Sequence, residues 1–374
     1  ARLLPQVEGT AERELVRHFM GHFEEQAVPI LAKLRMSVIH NDANDYNVLV
    51  GHVAPHLEDR FIKVVGIIDF GDMLYSYTVG ELAVGAAYAM MGKKDPLAAA
   101  AAIVSGYHQV LPLSEIEVQV LYHLVALRLC LSVAISAEQK KKEKENEYLT
   151  ISERPAWALL RDWQEINPRL ACYIFRQACG LAPCPGSGTL ASWLKDHQEE
   201  ISPMIEADFK KNPPLVFDLS MGSRELGACR NPDNMEELSV WMSGRMSAAK
   251  ARVGIGRYGE VRQFYTSDIF KAPGNETPEW RTVHLGIDLF LEAGSSVFAP
   301  LDGIVHSLQN NDGYLDYGPT VILEHGISSD QKFCTLYGHL SPNSLAGLTE
   351  GARIKKGQRI GSVGRLEENG GWPP

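Results

Sequence analysis

Apolar and polar positions along the chain change their rhythm several times, and each change predicts an element. Ser37-Val38-Ile39, Val48-Leu49-Val50 and Val64-Val65-Gly66-Ile67-Ile68 are short apolar runs of strand length. The last of them reads as a buried strand. Residues 77–137 then take up a helical period. Asp95-Pro96 marks a helix start, because proline needs no donor in a first turn. Ser114-Glu115-Ile116-Glu117 is a capping box ahead of Leu121, Leu124, Val125, Leu131 and Ile135 at helical spacing. Arg128 falls inside that stripe, where it must either snorkel to the surface or pair with a buried acid. A composition break at Cys184-Pro185-Gly186-Ser187-Gly188 closes this helical part. Beyond residue 245, short apolar runs punctuated by glycine predict a compact antiparallel β domain.

The polar residues between the first strands carry chemistry. His40-Asn41-Asp42-Ala43-Asn44-Asp45-Tyr46-Asn47 fits H-x-D-x-x-x-x-N, and Ile67-Ile68-Asp69-Phe70-Gly71-Asp72 comes after it. Phosphoryl transfer needs a carboxylate to orient the attacking hydroxyl, and oxygen ligands to hold Mg²⁺ against the phosphates. Asp42 is the candidate base, Asn47 and Asp69 are the candidate ligands of MgATP, and His40 braces the loop. These residues, with Gly80-Glu81-Leu82-Ala83, resemble the aminoglycoside phosphotransferase family and its hydroxylysine-kinase-like branch over about residues 1–180. The resemblance implies a mainly helical kinase-like C-terminal lobe that moves the ATP γ-phosphate to a hydroxyl of a small aminated substrate. The Gly-rich loop and strand lysine of that family's N-terminal lobe have no counterpart here, so the chain is expected to be a piece of a longer protein.

A second constellation lies near the other end. In His284-Leu285-Gly286-Ile287-Asp288, residues 284, 286 and 288 share one face of an extended strand. A histidine nitrogen and an aspartate oxygen there are the start of a zinc site, with Gly286 leaving room for an ion. Together with Tyr337-Gly338-His339-Leu340 and Gly357-Gln358-Arg359-Ile360-Gly361, this segment resembles the LytM/lysostaphin-type zinc metallopeptidases over about residues 245–374. The resemblance implies that His284 and Asp288 bind Zn²⁺ and that His339 assists catalysis beside it. The family's third ligand belongs to an H-x-H motif expected directly after Pro374, and no H-x-H occurs in the sequence. His306 and His325 read as ordinary strand and turn residues. Fusions of this kind resemble a bacterial family that continues into a class III aminotransferase, so pyridoxal phosphate would belong only to such a downstream domain.

The expected organisation is therefore multidomain α+β. Residues 1–183 form the kinase-like lobe, 184–244 a partly helical connector, and 245–374 the small antiparallel β domain. At 374 residues with 45% apolar content, the chain is long and apolar enough to bury real cores. A net charge of -10 argues against nucleic acid. The lysines between Glu138 and Glu147 alternate with acids and read as a solvated helix end or loop. His123 and Arg128 argue against a membrane span. Six dispersed cysteines without a C-x-x-C pair fit reduced thiols, and with ATP chemistry they point to the cytoplasm. Gly254-Ile255-Gly256-Arg257-Tyr258-Gly259 matches G-x-G-x-x-G by letter but has no βαβ context, and reads as a turn into the β domain. The expected partners are a small amine or hydroxyl substrate and, for the second domain, a peptide. The alternatives are a zinc metallopeptidase on a vestigial kinase scaffold, and a non-catalytic binding module.

Overall fold

The computed structural model describes residues 2–51, 63–142, 153–265, 267–272, 274, 279–328 and 331–374. The chain divides into two compact units, 1–185 with 273–277, and 186–272 with 278–374. The architecture is mixed α+β, as the sequence patterning predicts.

The first unit opens with α1 (Thr10–Gln26). Two short antiparallel ladders come next, β1 (Met36–Ile39) with β4 (Leu74–Tyr77), and β2 (Val48–Gly51) with β3 (Lys63–Ile67). Then come α2 (Thr78–Met90), α3 (Pro96–Val110), α4 (Glu115–Lys142), α5 (Glu153–Glu165) and α6 (Pro168–Ala178). The helix starts obey their sequence signals. Asp95 Oδ1 accepts the Ala98 N–H at 2.9 Å ahead of Pro96. Ser114 and Glu117 exchange hydrogen bonds, with Ser114 N–H on Glu117 Oε2 at 2.8 Å and Glu117 N–H on Ser114 Oγ at 3.4 Å. Glu117 also takes two donors from Arg35, at 2.8 and 2.6 Å.

Helix α4 is long and apolar enough to cross a membrane by length and composition. It is instead the hub of the helical core, packed against α1, α2, α5 and α6. Val118, Leu121, Val125, Leu129 and Val133 are buried on it, whereas Leu131 of the expected stripe is exposed. Trp163 stacks on Tyr122 at 5.0 Å, and the Tyr122 hydroxyl donates to the Trp163 carbonyl at 2.8 Å. The pair thus buries two large rings without stranding the hydroxyl.

Val64 to Ile68, expected as a buried strand, is not one. β3 is half of a two-stranded ladder, and Val64, Val65 and Ile67 are 68%, 57% and 38% exposed. A two-stranded ladder buries nothing unless a second layer covers it, and no described residues of this unit do so. Of the Glu138–Glu147 run, residues 138–142 end α4 and 143–147 lie outside the described residues.

The second unit has two helices of note, α7 (Ser187–Asp196) and α8 (Met235–Ala249). Its first strand, β5 (Leu215–Val216), runs parallel to β6 (Gly254–Gly256), and β6 pairs antiparallel with β11 (Asp288–Phe290). β7 (Glu260–Val261) pairs with β10 (Val283–His284), and β8 (Lys271–Ala272) with β9 (Glu279–Trp280). β12 (Ser296–Phe298) pairs with β17 (Arg359–Ser362). The largest sheet has the order β15 (Lys332–Tyr337), β14 (Gly318–Gly326), β13 (Gly303–Asn311), β16 (Arg353–Ile354), all antiparallel. Its inner face holds Val305, Val321, Leu323 and Tyr337 with Ile354 and Ile360. A second cluster joins Phe217, Leu219, Leu238 and Met242 to Phe264, Tyr265 and Phe290. Much of the segment set apart as a connector therefore contributes core to this unit. A further α-helical turn, α9 (Asn343–Ala346), lies before β16.

Candidate functional sites

In the first unit, the loop after β1 and the end of β3 are tied together. His40 donates from Nε2 to the Ile68 carbonyl at 2.9 Å and accepts the Asp42 N–H on Nδ1 at 3.3 Å. Both ring nitrogens are used, so the imidazole braces the loop. The Phe70 ring meets it edge-on at 5.2 Å. The Ile68 N–H donates to the Asn47 carbonyl at 3.0 Å. Asp69 adopts a left-handed backbone at φ 61° and caps the turn Phe70–Asp72 through Gly71 N–H.

The Asp42 side chain is held on both oxygens. Its Oδ2 accepts from the amides of Asn44 and Asn47, both at 2.9 Å. Asn47 Nδ2 is 2.9 Å from the Asp42 carbonyl as well, so the amide oxygen of this buried residue is the atom left to reach a metal. The Oδ1 of Asp42 pairs with Arg128 Nη2 at 2.9 Å. Arg128 also donates to the Tyr88 hydroxyl at 3.0 Å and lies over that ring. The arginine that interrupts the apolar stripe of α4 thus pairs with an acid across 86 residues of sequence. A cavity of about 490 Å³ opens here, lined by Asn44, Asp72, Tyr88, Arg128, Ser132 and Glu153 among others. Glu81 on α2 completes the arrangement, its Oε2 accepting the Asn41 N–H at 2.9 Å. In the sequence, Glu81 stands out only through a family resemblance; nothing in its spacing announces that it holds the loop.

In the second unit, His284 and Asp288 do not share one strand. The chain bends at Gly286, and the two residues belong to β10 and β11. Their side chains still converge, His284 Nε2 lying 3.2 Å from Asp288 Oδ1. Leu285 and Ile287 between them are exposed. A Cβ on Gly286 would lie 3.1 Å from His284 Nε2, so glycine keeps that nitrogen open. His284 Nδ1 faces the Arg257 carbonyl at 3.3 Å and must be its protonated nitrogen. In neutral imidazole, Nε2 then points a lone pair at a carboxylate. Only a proton or a cation between them makes that arrangement favourable. Two ligands about 2.0–2.1 Å from a tetrahedral zinc ion stand about 3.3 Å apart, close to the separation found. The donor pair therefore fits two positions of a zinc site.

His339 has a left-handed backbone at φ 58° and hydrogen-bonds the Asn369 carbonyl through Nδ1 at 2.9 Å. Burial lowers its pKa, against the opposing pull of that carbonyl and of Asp288, so it stays neutral with Nε2 as the basic nitrogen. Burial alone would raise the Asp288 carboxyl, but His284 and the Arg262 guanidinium hold it below the ordinary range. Among the described residues, no group of three or more His, Cys, Asp or Glu side chains gathers closely enough to hold a metal ion. His284 and Asp288 supply two donors. His306 is exposed, and the buried His325 ring is bonded to the Asp302 carbonyl and Thr335 Oγ1.

Comparison with known proteins is decisive for the second unit. A profile of peptidase family M23 matches residues 282–372. The C-terminal part of the chain is a peptidase family M23 domain. An uncharacterized metalloprotease of Haemophilus influenzae is 33% identical over 113 residues, 30% of this chain and 22% of that protein. The N-terminal region is homologous to hydroxylysine kinase. The Bos taurus protein is 33% identical over 150 residues, 40% of each chain. The Danio rerio protein is 34% identical over 179 residues, 46% of this chain and 49% of its own. The chain thus spans less than half the length of these curated relatives. No solved structure matches it. A phosphotransferase-like domain is therefore fused to an M23 domain.

Proposed function

We propose that the chain is part of a multidomain enzyme whose N-terminal half transfers phosphate from ATP to a hydroxyl of a small aminated substrate. The observation that carries this reading is Asp42, a carboxylate held by two amides and by Arg128, an arginine that lines the cavity. Asp42 orients the acceptor hydroxyl and takes its proton. The Asn47 amide oxygen and the Asp69 carboxylate, from two loops tied through Ile68, would hold Mg²⁺, which neutralises charge on the phosphates. The cavity beside Arg128 and Glu153 receives the acceptor. The relatives' name makes hydroxylysine the first acceptor to try.

The test is phosphotransfer from ATP across hydroxylated amines and amino acids, comparing the complete native protein with its Asp42→Asn variant. Loss of a general base costs about 10²- to 10⁴-fold in rate. Turnover that survives in a folded Asp42→Asn protein would remove Asp42 from the role of base.

A second reading concerns the M23 domain and rests on the facing lone pairs of His284 and Asp288. We infer that the pair holds Zn²⁺, which when bound polarises a peptide carbonyl and acidifies a water. His339, its Nδ1 fixed on the Asn369 carbonyl, would hold or release a proton at Nε2 beside the pair. A peptide is the corresponding substrate or ligand, and ATP chemistry in the first half favours the cytoplasm.

A further inference from the structure

The glycine-rich segment Gly254 to Gly259 lacks the context of a dinucleotide site, yet its glycines are sterically required. A Cβ on Gly254 would lie 2.6 Å from the Phe217 ring. A Cβ on Gly256 would lie 2.4 Å from Asp288 Oδ2 and 2.8 Å from Arg262 Nη2. Gly259 turns the chain at φ 71° and donates its N–H to the His284 carbonyl at 2.8 Å. The segment passes directly beneath both donors of the candidate zinc pair.

This segment and the residues directly after it hold them in place. The Arg257 carbonyl faces His284 Nδ1. Arg262 Nη2 pairs with Asp288 Oδ2 at 2.7 Å, leaving Oδ1 toward His284. Arg262 is 3% exposed, and its Nε donates to the equally buried Glu260 at 3.0 Å. Glu260 stands opposite His284 in the strand pair. It accepts from the Leu219 N–H at 2.9 Å and from Arg257 at 3.0 Å, and Arg257 in turn bonds Asp218. The result is a relay of alternating charge from the surface to the ligand carboxylate.

We propose that Arg262, directly after β7 and anchored by Glu260, is a positioning residue that makes Asp288 a one-oxygen metal ligand. The proposal rests on the zinc reading of the M23 domain. A planar guanidinium suits the task because its fork reaches Glu260 and Asp288 at once, which a lysine point charge cannot do. The charge itself works in the opposite sense, since a cation beside a ligand weakens its pull on a second cation. Metal affinity therefore separates positioning from charge.

The experiment titrates the full chain with Zn²⁺, and with Co²⁺ as a spectroscopic stand-in, for native protein, Arg262→Met, Arg262→Lys and His284→Ala. Circular dichroism and thermal unfolding control for folding. If positioning governs, Arg262→Met weakens Zn²⁺ by about 10- to 100-fold, as loss of an outer partner does. Arg262→Lys, which keeps the buried charge and the fold, also weakens it and alters the Co²⁺ spectrum. A folded Arg262→Lys that binds as native protein does, or a folded Arg262→Met that binds more tightly, overturns the proposal while leaving the zinc site standing. Zinc binding unchanged in His284→Ala, or absent from native protein, overturns the zinc reading and this proposal with it.

Discussion

Among the described residues, five non-glycine positions adopt a left-handed backbone, and three of them, Asn41, Asp69 and His339, lie in the motifs that carry the chemistry. Such conformations cost about 1–3 kcal/mol and persist where surrounding contacts enforce them. Glu81 enforces the one at Asn41, and the Asn369 carbonyl supports the one at His339. The same crowding makes a prediction at Gly256. The added methyl of Gly256→Ala meets the buried Arg262 and the half-buried Asp288, and overpacking of this kind costs about 1–3 kcal/mol. Thermal unfolding of the second unit should move down accordingly. An unshifted transition would mean that Asp288 and Arg262 relax freely, contrary to their packing. At this scale the sequence is legible where chemistry comes as a compact string: Asp42, Asn47, His284 and Asp288 can be picked out by spacing. Arg128, Glu81 and Arg262 cannot, because their partners lie 86, 40 and 26 residues away and only the fold brings them together.

Elements were readable where local signals act alone. The Asp95 cap and the Ser114–Glu117 box start helices through bonds three residues long. What the box could not show is its second use, since Arg35, just ahead of β1, reaches the same carboxylate across 82 residues of sequence. Burial would raise the Glu117 carboxyl, but hydrogen bonds from Arg35 and Ser114 outweigh it and hold the pKa below the ordinary glutamate value. A depressed folded pKa contributes stability that is full above the unfolded glutamate range and is lost as pH falls through the folded value. Glu117→Gln should therefore destabilise the first unit at neutral pH by about 2 kcal/mol, the worth of hydrogen bonds to a charged group. The difference from native protein should shrink on acidification. A gap in melting temperature that stays constant from neutral to acidic pH would rule this out. Burial, by contrast, was not legible from apolarity: β3 reads as a core strand, yet its valines face outward, the ladder having β2 as its one partner strand among the described residues.

At the scale of the whole molecule, the decisive fact is that apolar residues close separate cores. The helical cluster draws on residues between Leu15 and Cys179, and the two clusters of the second unit draw on residues from Phe217 onward. The composition break at residues 184–188 marks this division in the sequence. The role of the next stretch was hidden, because Phe217, Leu238 and Met242 belong to no motif and find their partners only when β5 pairs with β6. Cores that share no residues lose their contacts independently, so unfolding need not be a single cooperative event. Calorimetry should resolve two transitions. Trp163→Ala, which removes the largest side chain of the helical core at a cost of about 3–5 kcal/mol, should lower one of them and leave the other in place. Gly256→Ala should do the reverse. If either substitution moved both transitions together, the two halves would be one folding unit, and the phosphotransferase-like and M23 sites could no longer be treated as chemically separate.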